Sequence, residues 1–333
     1  MGVIPGAELL DLEQRNAAFG DNGSKPGRPF NYRTLREIAD NPLPAPPVQI
    51  QSVCREGEVG ILTGPANRLK SRTAAELAVA VASGQAVLGK FSVERPGKAL
   101  IIQNEIHSGV YDERMVRYAD EEAAWCDNLL VVSRQSFRIE PESMLALDNL
   151  MSQEEITFAV LDPISEMWPL DEHFDENRAT DVTLVIERLK QLRDKDRTIL
   201  FVHHDPKDDA RRARGSARLI DAPDLRIYLG RANRKGSEIA RAKAHIESRT
   251  LPPPDDFDIV LGADGRLHHE DARMTDEQTD TLEALGRMGR ATASELAKAL
   301  MIEEHAARGR LSRLAGLGKV ESDGGRPTRW RLA

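Results

Sequence analysis

Short apolar runs alternate with amphipathic stretches through the middle of the chain. This alternation predicts strands separated by helices, and hence an α/β fold whose mostly parallel sheet is flanked by helices. The predicted strands are Val59–Leu62, Ala99–Gln103, Leu129–Ser133, Ile156–Leu161, Thr198–Val202 and Asp224–Leu229. The main predicted helices are Ser71–Ser83, Ser143–Leu150 and Asp181–Asp194. Two later segments, 238–247 and 257–261, predict a strand pair that closes the sheet.

The N-terminal residues differ from this core. Residues 1–49 predict an extension with an amphipathic helix at 7–19 and a second helix near 32–39. The stretch 41–47 contains four prolines, which exclude a helix, so it is interpreted as a spacer. The first helix is open to two interpretations, since it could dock on a neighbouring subunit or cover its own core.

The C-terminal residues predict a separate unit. A turn at 262–265 and the polar stretch 268–275 mark the boundary, so the core domain is expected to span 50–267 and to be followed by a linker at 268–275. Residues 276–333 predict three helices and a hairpin, which is typical of a small winged helix-turn-helix domain. Its predicted elements are helices 276–288, 292–300 and 303–317 and β-like stretches 319–321 and 328–331.

Composition and charge exclude several classes of protein. The 333 residues carry a formal net charge of -8, and no apolar run approaches the roughly 20 residues that a membrane span needs. Residues 1–5 lack the start of a secretory signal. Two cysteines, Cys54 and Cys126, without paired spacing exclude a disulfide framework and a thiolate zinc site. A cytoplasmic protein without a membrane partner is expected.

The strongest motif is the segment Gly64–Ser71, which follows a predicted strand and opens an alanine-rich helix. It has the Walker A layout, in which backbone N–H groups, a lysine and a serine hydroxyl bind phosphates and Mg²⁺. Leu69 stands where the pattern has glycine, and a left-handed conformation there would cost about 1–2 kcal/mol. The alternative is a strand-to-helix turn that contains Gly64, Lys70 and Ser71 without binding nucleotide.

Polar residues follow three other predicted strands. Asp162 ends an apolar strand, as a Walker B acid that holds Mg²⁺ does, although an acid before Pro163 could also cap a helix. Glu105 lies just past another strand, where a carboxylate could activate water or form an exposed salt bridge. His203 and His204 end a third, and only one of them is expected to face the nucleotide.

Taken together, these segments resemble the RecA-like P-loop ATPases of the plasmid RepA helicase type, which are related to the hexameric DnaB-like replicative helicases. The resemblance covers about 47–267 and depends on the order and spacing of several short segments. They are Gly57–Gly64, Lys70–Ser71, Ala80–Gly84, Leu100–Glu105, Leu161–Ser165, Phe201–His204 and Arg214–Ser216.

The resemblance implies roles for individual residues. Lys70 and Ser71 would bind the phosphates of ATP and Mg²⁺, Asp162 would be the Walker B acid and second Mg²⁺ residue, Glu105 the catalytic base and His204 the sensor. The residues expected to contact nucleotide are Gly64, Asn67, Arg68, Lys70, Ser71 and Arg72.

Such enzymes are usually ring hexamers with ATP between subunits, so a homo-oligomer is implied. Lys243 is the candidate for the basic residue that reaches a neighbour's nucleotide, with Arg249 as the second choice. The related helicases have Lys-x-Arg at this place, whereas this chain has Lys243-Ala-His245.

Basic residues suggest where DNA would bind. Segment 207–249 has twelve Lys and Arg against six Asp and Glu, and segment 305–333 has seven against two. The residues predicted to contact single-stranded DNA in the ring channel are Lys207, Arg211, Arg212 and Arg214. Those predicted to contact duplex DNA through the winged helix are Arg308, Arg310, Arg313, Arg326, Arg329 and Arg331. A solvated basic loop and a protein-binding winged helix are the alternatives.

The sequence therefore predicts an ATP-dependent motor on single-stranded DNA, as in a plasmid or phage replicative helicase. Two other functions remain open: a weakly active or inactive DNA-binding scaffold that acts through the winged helix, and a RecA-like recombination mediator. Hydrolysis with and without single-stranded DNA separates the motor from the scaffold.

Overall fold

A nine-stranded sheet forms the centre of the larger structural unit in the computed structural model. The structure describes residues 32–119, 123–193, 196–204, 216–231, 240–262, 264–271, 276–316, 319–325 and 327–333. The chain divides into a smaller unit, residues 1–45, and a larger unit, residues 46–333. The predicted helix at 7–19 lies outside the described residues.

The smaller unit contains one described helix, α1 (Leu35–Asp40). Thr34 and Glu37 form a capping box at its start, in which each side chain bonds the other residue's backbone N–H. None of its residues is buried. The sequence places this helix at 32–39, so the prediction is confirmed with a shift of the start.

The sheet of the larger unit is parallel at its centre and antiparallel at one side. Its strands are β3 (Val59–Thr63), β4 (Lys98–Gln103), β5 (Leu129–Ser133), β6 (Ile156–Asp162), β7 (Thr198–Val202), β8 (Leu225–Gly230), β9 (Arg241–Ser248), β10 (Phe257–Leu261) and β11 (Leu267–Asp271). Their order is β11-β10-β9-β8-β3-β7-β6-β4-β5. Strands β8, β3, β7, β6, β4 and β5 are parallel, while β9, β10 and β11 add antiparallel. The α/β fold class with a mostly parallel sheet is therefore confirmed.

Helices cover both faces of the sheet. Helix α2 (Lys70–Ser83) packs one face through Ala74, Leu77 and Val81. Helices α4 (Pro141–Gln153) and α5 (Ala179–Arg193) pack the other face. Alternating strand residues supply the two cores, since successive side chains point to opposite faces. Short elements complete the unit: β1 (Val48–Ile50), β2 (Cys54–Arg55), α3 (Ser108–Met115), α6 (Arg218–Asp221) and 3₁₀ turns at Ala124–Asn128 and Ile164–Glu166.

Two strands extend across positions where the sequence predicts a domain boundary. The linker predicted at 268–275 begins as strand, because 267–271 pair along their whole length with β10. The extension predicted to end at 49 also overlaps β1, which pairs with β2. Strand β1 is short and lies outside the nine-stranded sheet, and β11 is polar and forms one edge of that sheet. Both therefore lack the apolar run that identifies a buried strand.

The C-terminal residues form their own small core. The elements are α7 (Asp276–Met288), β12 (Ala291–Thr292), α8 (Ala293–Leu300), α9 (Glu304–Gly316), β13 (Val320–Ser322) and β14 (Arg329–Leu332). The three strands pair in the order β12-β14-β13, and Leu285, Leu296 and Leu311 are fully buried between them and the helices. The predicted three helices and hairpin are confirmed, while the winged-helix assignment stays a prediction.

None of the helices in the described parts of the chain combines the length and apolar composition needed to cross a membrane.

Candidate nucleotide site

The predicted site residues lie at one edge of the sheet. Strands β3, β7, β6 and β4 are neighbours and run parallel, so their carboxyl ends meet there. The residues at these ends are the Gly64–Leu69 loop after β3, His204 after β7, Asp162 in β6 and Glu105 after β4. Parallel pairing is what brings together residues that are up to 140 positions apart in the sequence.

The loop after β3 depends on two special backbone positions. Gly64 has φ +147°, and a Cβ there would lie 2.3 Å from the carbonyl oxygen of Leu229, so only glycine fits. Leu69 adopts the left-handed conformation, with φ 60° and ψ 12°, at the start of α2. The conformational requirement expected at this position is thus present, although the residue is not glycine.

The side chain of Leu69 does not fill the loop. It is half-buried and packs against the apolar cluster that includes residues of α2. Its burial offsets part of the cost of about 1–2 kcal/mol for the left-handed backbone. The backbone of the loop can therefore adopt a phosphate-binding turn with leucine in the place of glycine.

Lys70 is the first residue of α2 and is buried. Its Nζ atom donates to the carbonyl oxygens of Gly64 and Pro65, at 2.8 and 2.7 Å. The ammonium group is therefore held inside the loop at the positive end of the helix dipole. Both features favour an anion at this place.

Asp162 is buried beside Ser71, whose hydroxyl bonds its carboxylate. Burial, and then the charge of Glu105, raise the pKa of Asp162 to about 6, against the opposing effects of Ser71, Lys70 and Arg114. Its Oδ1 atom is buried and meets no hydrogen-bond partner among the described residues. A buried carboxylate oxygen without a partner needs a compensating group, and Mg²⁺ prefers such oxygen ligands. The residues present therefore fit a magnesium ion held by Asp162 and Ser71.

Glu105 and His204 face each other at the same edge. The Oε2 atom of Glu105 lies 3.9 Å from Nε2 of His204, and both side chains are partly exposed. Burial, followed by the charge of Lys70, lowers the pKa of His204, which favours the neutral imidazole. The Nδ1 atom of His204 is buried without a hydrogen-bond partner in the described structure. A phosphate oxygen or a water molecule would satisfy it.

Only one of the two histidines faces this edge, as expected from strand geometry. His203 is buried and its ring lies 6.5 Å from that of Trp168, on the side of α5. His204 points towards Glu105. The two histidines therefore point to different sides, as the alternation of side chains along a strand predicts. A sensor role for His204 stays a prediction.

Three residues that the motifs do not identify shape the site. Gln103, the buried last residue of β4, bonds both the N–H and the carbonyl of Ile106, at 2.9 and 2.8 Å. These bonds fix the loop that carries Glu105. Arg114 and Tyr111 of α3 lie near Asp162. The charge of Arg114 lowers the pKa of Asp162, and the charge of Asp162 raises the pKa of Tyr111. A polar residue at the end of an apolar strand is the one signal that could have identified Gln103.

The other predicted nucleotide residues lie around the loop. Asn67 is exposed with φ 59°, and Arg68 is half-buried. Arg72 turns away along α2, where its Nη1 atom lies 3.5 Å from the carbonyl oxygen of Gly265. Their contact with nucleotide stays a prediction.

Lys243 and Arg249 are not brought to this edge by contacts that the structure describes. Lys243 lies on β9 and forms an ion pair with Asp256 at 3.0 Å, while His245 bonds the same carboxylate at 2.6 Å. Arg249 bonds the carbonyl of Asp221. A role for Lys243 at a neighbouring subunit stays a prediction that a single chain does not test.

The predicted DNA residues fall into two groups. Lys207, Arg211, Arg212, Arg214 and Arg326 lie outside the described residues. The remainder are in the C-terminal unit, and each has a partner there: Arg308 with Glu304, Arg310 with Glu277, Arg313 with the carbonyl of Gly309, Arg329 with Glu295, and Arg331 with Glu321. Arg310 is the most buried of them, with 13% of its side chain exposed.

The loop, the buried lysine and the acids at neighbouring strand ends have the layout of a P-loop nucleotide site at the edge of a parallel sheet. Residues 26–210, more than half of the chain, match the family model described as AAA domain. The chain therefore belongs to this family, and with it to the P-loop ATPases.

Two further findings concern solved structures and curated proteins. The chain is similar to the crystal structure of a KaiC-like protein from the hyperthermophilic archaeon Pyrococcus horikoshii, at 14% identity over 65% of this chain and 90% of that one, with a TM-score of 0.46. Family membership does not depend on that likeness. No curated protein matches the chain.

Proposed function

We propose that the chain hydrolyses ATP and couples hydrolysis to movement along single-stranded DNA, as a plasmid or phage replicative helicase of the RepA type does. The observation that carries the proposal is the meeting of Lys70, Asp162, Glu105 and His204 at one sheet edge. Each of these groups has the chemistry that one part of phosphoryl transfer needs.

The proposed mechanism assigns one task to each group. Mg²⁺, when bound, would supply positive charge to the phosphate oxygens of ATP. Asp162 and Ser71 would hold the metal, and Lys70 would exchange the loop carbonyls for phosphate oxygens. Glu105, on its fixed loop, orients water and accepts its proton.

His204 contributes as a sensor. Its Nε2 atom lies 3.9 Å from Glu105 and the charge of Lys70 also acts on the ring, so a bound phosphate would compete with Glu105 for it. Contact with phosphate would release the carboxylate of Glu105 for water. Hydrolysis would reverse this exchange and so report the state of the nucleotide.

The DNA part of the proposal depends on charge. The segment 205–215 follows His204 directly and carries four basic residues, which would track a phosphate backbone without reading sequence. The arginines of α9 and β14 would contact duplex DNA. A ring of six subunits, as the resemblance to the hexameric helicases implies, would place Lys243 of one subunit at the nucleotide of the next.

A phosphate-release assay with and without single-stranded DNA tests the proposal. Wild-type protein should hydrolyse ATP faster with DNA. Lys70→Ala should lower the rate by about 100- to 1000-fold, because it removes the charge that stabilises the transferred phosphoryl group. Lys98→Ala is the matched control, since Lys98 pairs with Glu154 at the opposite end of the strands. Its rate should stay at the wild-type value.

Glu105→Gln separates catalysis from binding. The amide cannot accept the proton, so kcat should fall by about 100- to 10,000-fold while the Kd for a magnesium nucleotide analogue, measured by calorimetry, changes little. A Glu105→Gln variant with wild-type kcat would contradict the assignment of Glu105 as the base.

One observation favours a second candidate, a DNA-binding scaffold with weak nucleotide turnover. The ammonium group of Lys70 already donates to two carbonyl oxygens of its own loop. Beside it, Leu69 stands where the motif has glycine, the residue with the most backbone freedom. Hydrolysis absent with and without DNA, together with intact DNA binding, would favour this candidate over the motor.

A further inference from the structure

Helix α2 contains a buried carboxylate that the phosphate-binding loop does not use. Glu76 is 2% exposed, and the neighbours that share its helix and its burial are chiefly alanine, valine and leucine. A charge in such surroundings is costly unless it is paired and hydrogen-bonded. Its retention in this position therefore needs a physical explanation.

Four donors compensate the charge of Glu76. Arg266 approaches both oxygens, with Nε at 3.2 Å from Oε1 and Nη2 at 3.1 Å from Oε2. The backbone N–H of Leu267 donates at 2.8 Å, and the hydroxyl of Tyr118 bonds the same carboxylate. The guanidinium of Arg266 also lies over the ring of Tyr118, 4.6 Å from its centroid. Glu76, Arg266 and Tyr118 thus form one closed cluster, named here the Glu76 cluster.

The Glu76 cluster joins three parts of the fold. Glu76 belongs to the helix that begins with Lys70, and Arg266 precedes β11. Tyr118 follows α3, whose start is only three residues from Glu105. Arg72, one helical turn before Glu76, reaches the carbonyl oxygen of Gly265. The loop that carries Gly265 and Arg266 therefore contacts α2 at two places.

Stability alone does not account for this arrangement. A buried ion pair usually stabilises a fold no better than apolar residues of the same volume, whereas it fixes the relative position of the groups it joins. The charge and the two-point geometry of Arg266 restrict both rotation and sliding of the segments. The Glu76 cluster is therefore suited to fixing the distance between α2 and α3.

We propose that Glu76 is a positioning residue: through Arg266 and Tyr118 it holds α3, and with it the loop of Glu105, at a fixed place relative to Lys70. The inference rests on the proposed hydrolysis, in which Glu105 and Lys70 act on the same nucleotide. Helix α2 itself stays anchored by its apolar face, so loss of the cluster displaces α3 and leaves the phosphate-binding loop in place.

Arg266→Met tests the proposal, with Arg197→Met as the matched control. Arg197 also forms a buried pair, with Asp148 at 2.5 Å, but it lies at the start of β7, at the end of the sheet opposite the site. Both variants should lose thermal stability. Only Arg266→Met should lower kcat, by about 10- to 100-fold, because a small displacement of a catalytic group has an effect of this size. The Kd for a magnesium nucleotide analogue should stay within about twofold of wild type in both.

Amide hydrogen exchange provides a readout that does not depend on turnover. Exchange in α3 should accelerate in Arg266→Met and stay at the wild-type rate in Arg197→Met. Arg266→Lys, which keeps the charge but loses the two-point contact, should give an intermediate kcat. Tyr118→Phe removes one hydroxyl only and should fold even if Arg266→Met does not, with a smaller loss of kcat and faster exchange in α3.

The possible failures are distinguishable. Equal kcat and equal exchange in α3 for Arg266→Met and Arg197→Met, in an active wild-type protein, would overturn the role of Glu76 and leave the proposed function standing. A wild-type protein without hydrolysis would overturn the proposed function and with it the catalytic part of the inference.

Discussion

The polar groups at the sheet edge that carries the candidate nucleotide site differ from those of the C-terminal unit, residues 276–333, in whether they have partners. At the edge, Asp162 and His204 each bury an atom that has no partner among the described residues. In the C-terminal unit, by contrast, each described candidate arginine already has an oxygen partner within the unit. A buried polar group without a protein partner can be satisfied by a bound ligand, whereas a satisfied surface group must exchange one partner for another.

The comparison is tested most strongly at Asp162. Asp162→Asn should lower the hydrolysis rate by at least about 100-fold, because the neutral amide holds Mg²⁺ poorly. At pH 8 it should also raise the free energy of unfolding of the nucleotide-free protein by about 1–3 kcal/mol, since it removes a buried charge whose pKa is raised. Phosphate release and urea denaturation measure the two effects.

The pH dependence has a definite sign. The pKa of Asp162 is about 6 in the folded protein and near its ordinary value of 3.8 in the unfolded chain. Between these values the folded state binds the extra proton, so this group makes the wild-type protein more stable as the pH falls from 7 to 4. The gain from Asp162→Asn should therefore shrink at pH 5. Asp148→Asn, which removes the partner of buried Arg197, should lower stability instead. A gain in both variants would contradict the comparison.

Leu69 extends the comparison from polar groups to the backbone of the phosphate-binding loop. Leu69→Gly and Leu69→Ala both remove the side-chain contact with the core, but only glycine relieves the left-handed conformation. The glycine variant should therefore be more stable than the alanine variant by about 1–2 kcal/mol in urea denaturation.

The control for this effect is Leu145, an exposed residue within α4. There the order should reverse, with Leu145→Gly about 1 kcal/mol less stable than Leu145→Ala. The same order at both positions would show that Leu69 is not held in the left-handed region in solution.

The smallest expected effect concerns the arginines of α9. If the C-terminal unit contacts duplex DNA, Arg308→Ala should lower the slope of log affinity against log salt by about one, because the exposed guanidinium can leave Glu304 for a phosphate. Arg310→Ala should leave the slope unchanged and destabilise the unit, since Arg310 is mostly buried against Glu277. Fluorescence anisotropy at several salt concentrations measures both. Equal slopes in the two variants would exclude α9 as a DNA-contacting surface.

Much of the central sheet follows from local pattern. The bounds of β5, β7 and β10 agree with those predicted, because each strand is a short run rich in apolar and β-branched residues. Strand β11 was missed because His268 and His269 are polar, and at the edge of the sheet the pairing of its backbone with β10 decides the structure. Helix α3 was missed because it buries only Tyr111 and so has no apolar periodicity.

The site was predictable to a similar degree and for a similar reason. Lys70, Asp162, Glu105 and His204 stand at strand ends, where topology alone brings them together. The Glu76 cluster depends on a partner 190 positions away and on a tyrosine outside any motif. Nothing in the local pattern around Glu76 distinguishes it from an exposed helical glutamate.

A glycine before the lysine is usually the condition for recognising a phosphate-binding loop, yet here leucine makes the same turn. The left-handed conformation at Leu69 means that backbone shape, and not residue type, is what the loop must preserve. A leucine is compatible with this turn because its side chain finds apolar contacts, as Leu69 does against the cluster that includes α2. A search pattern restricted to glycine would pass over this chain even though its loop keeps the required geometry.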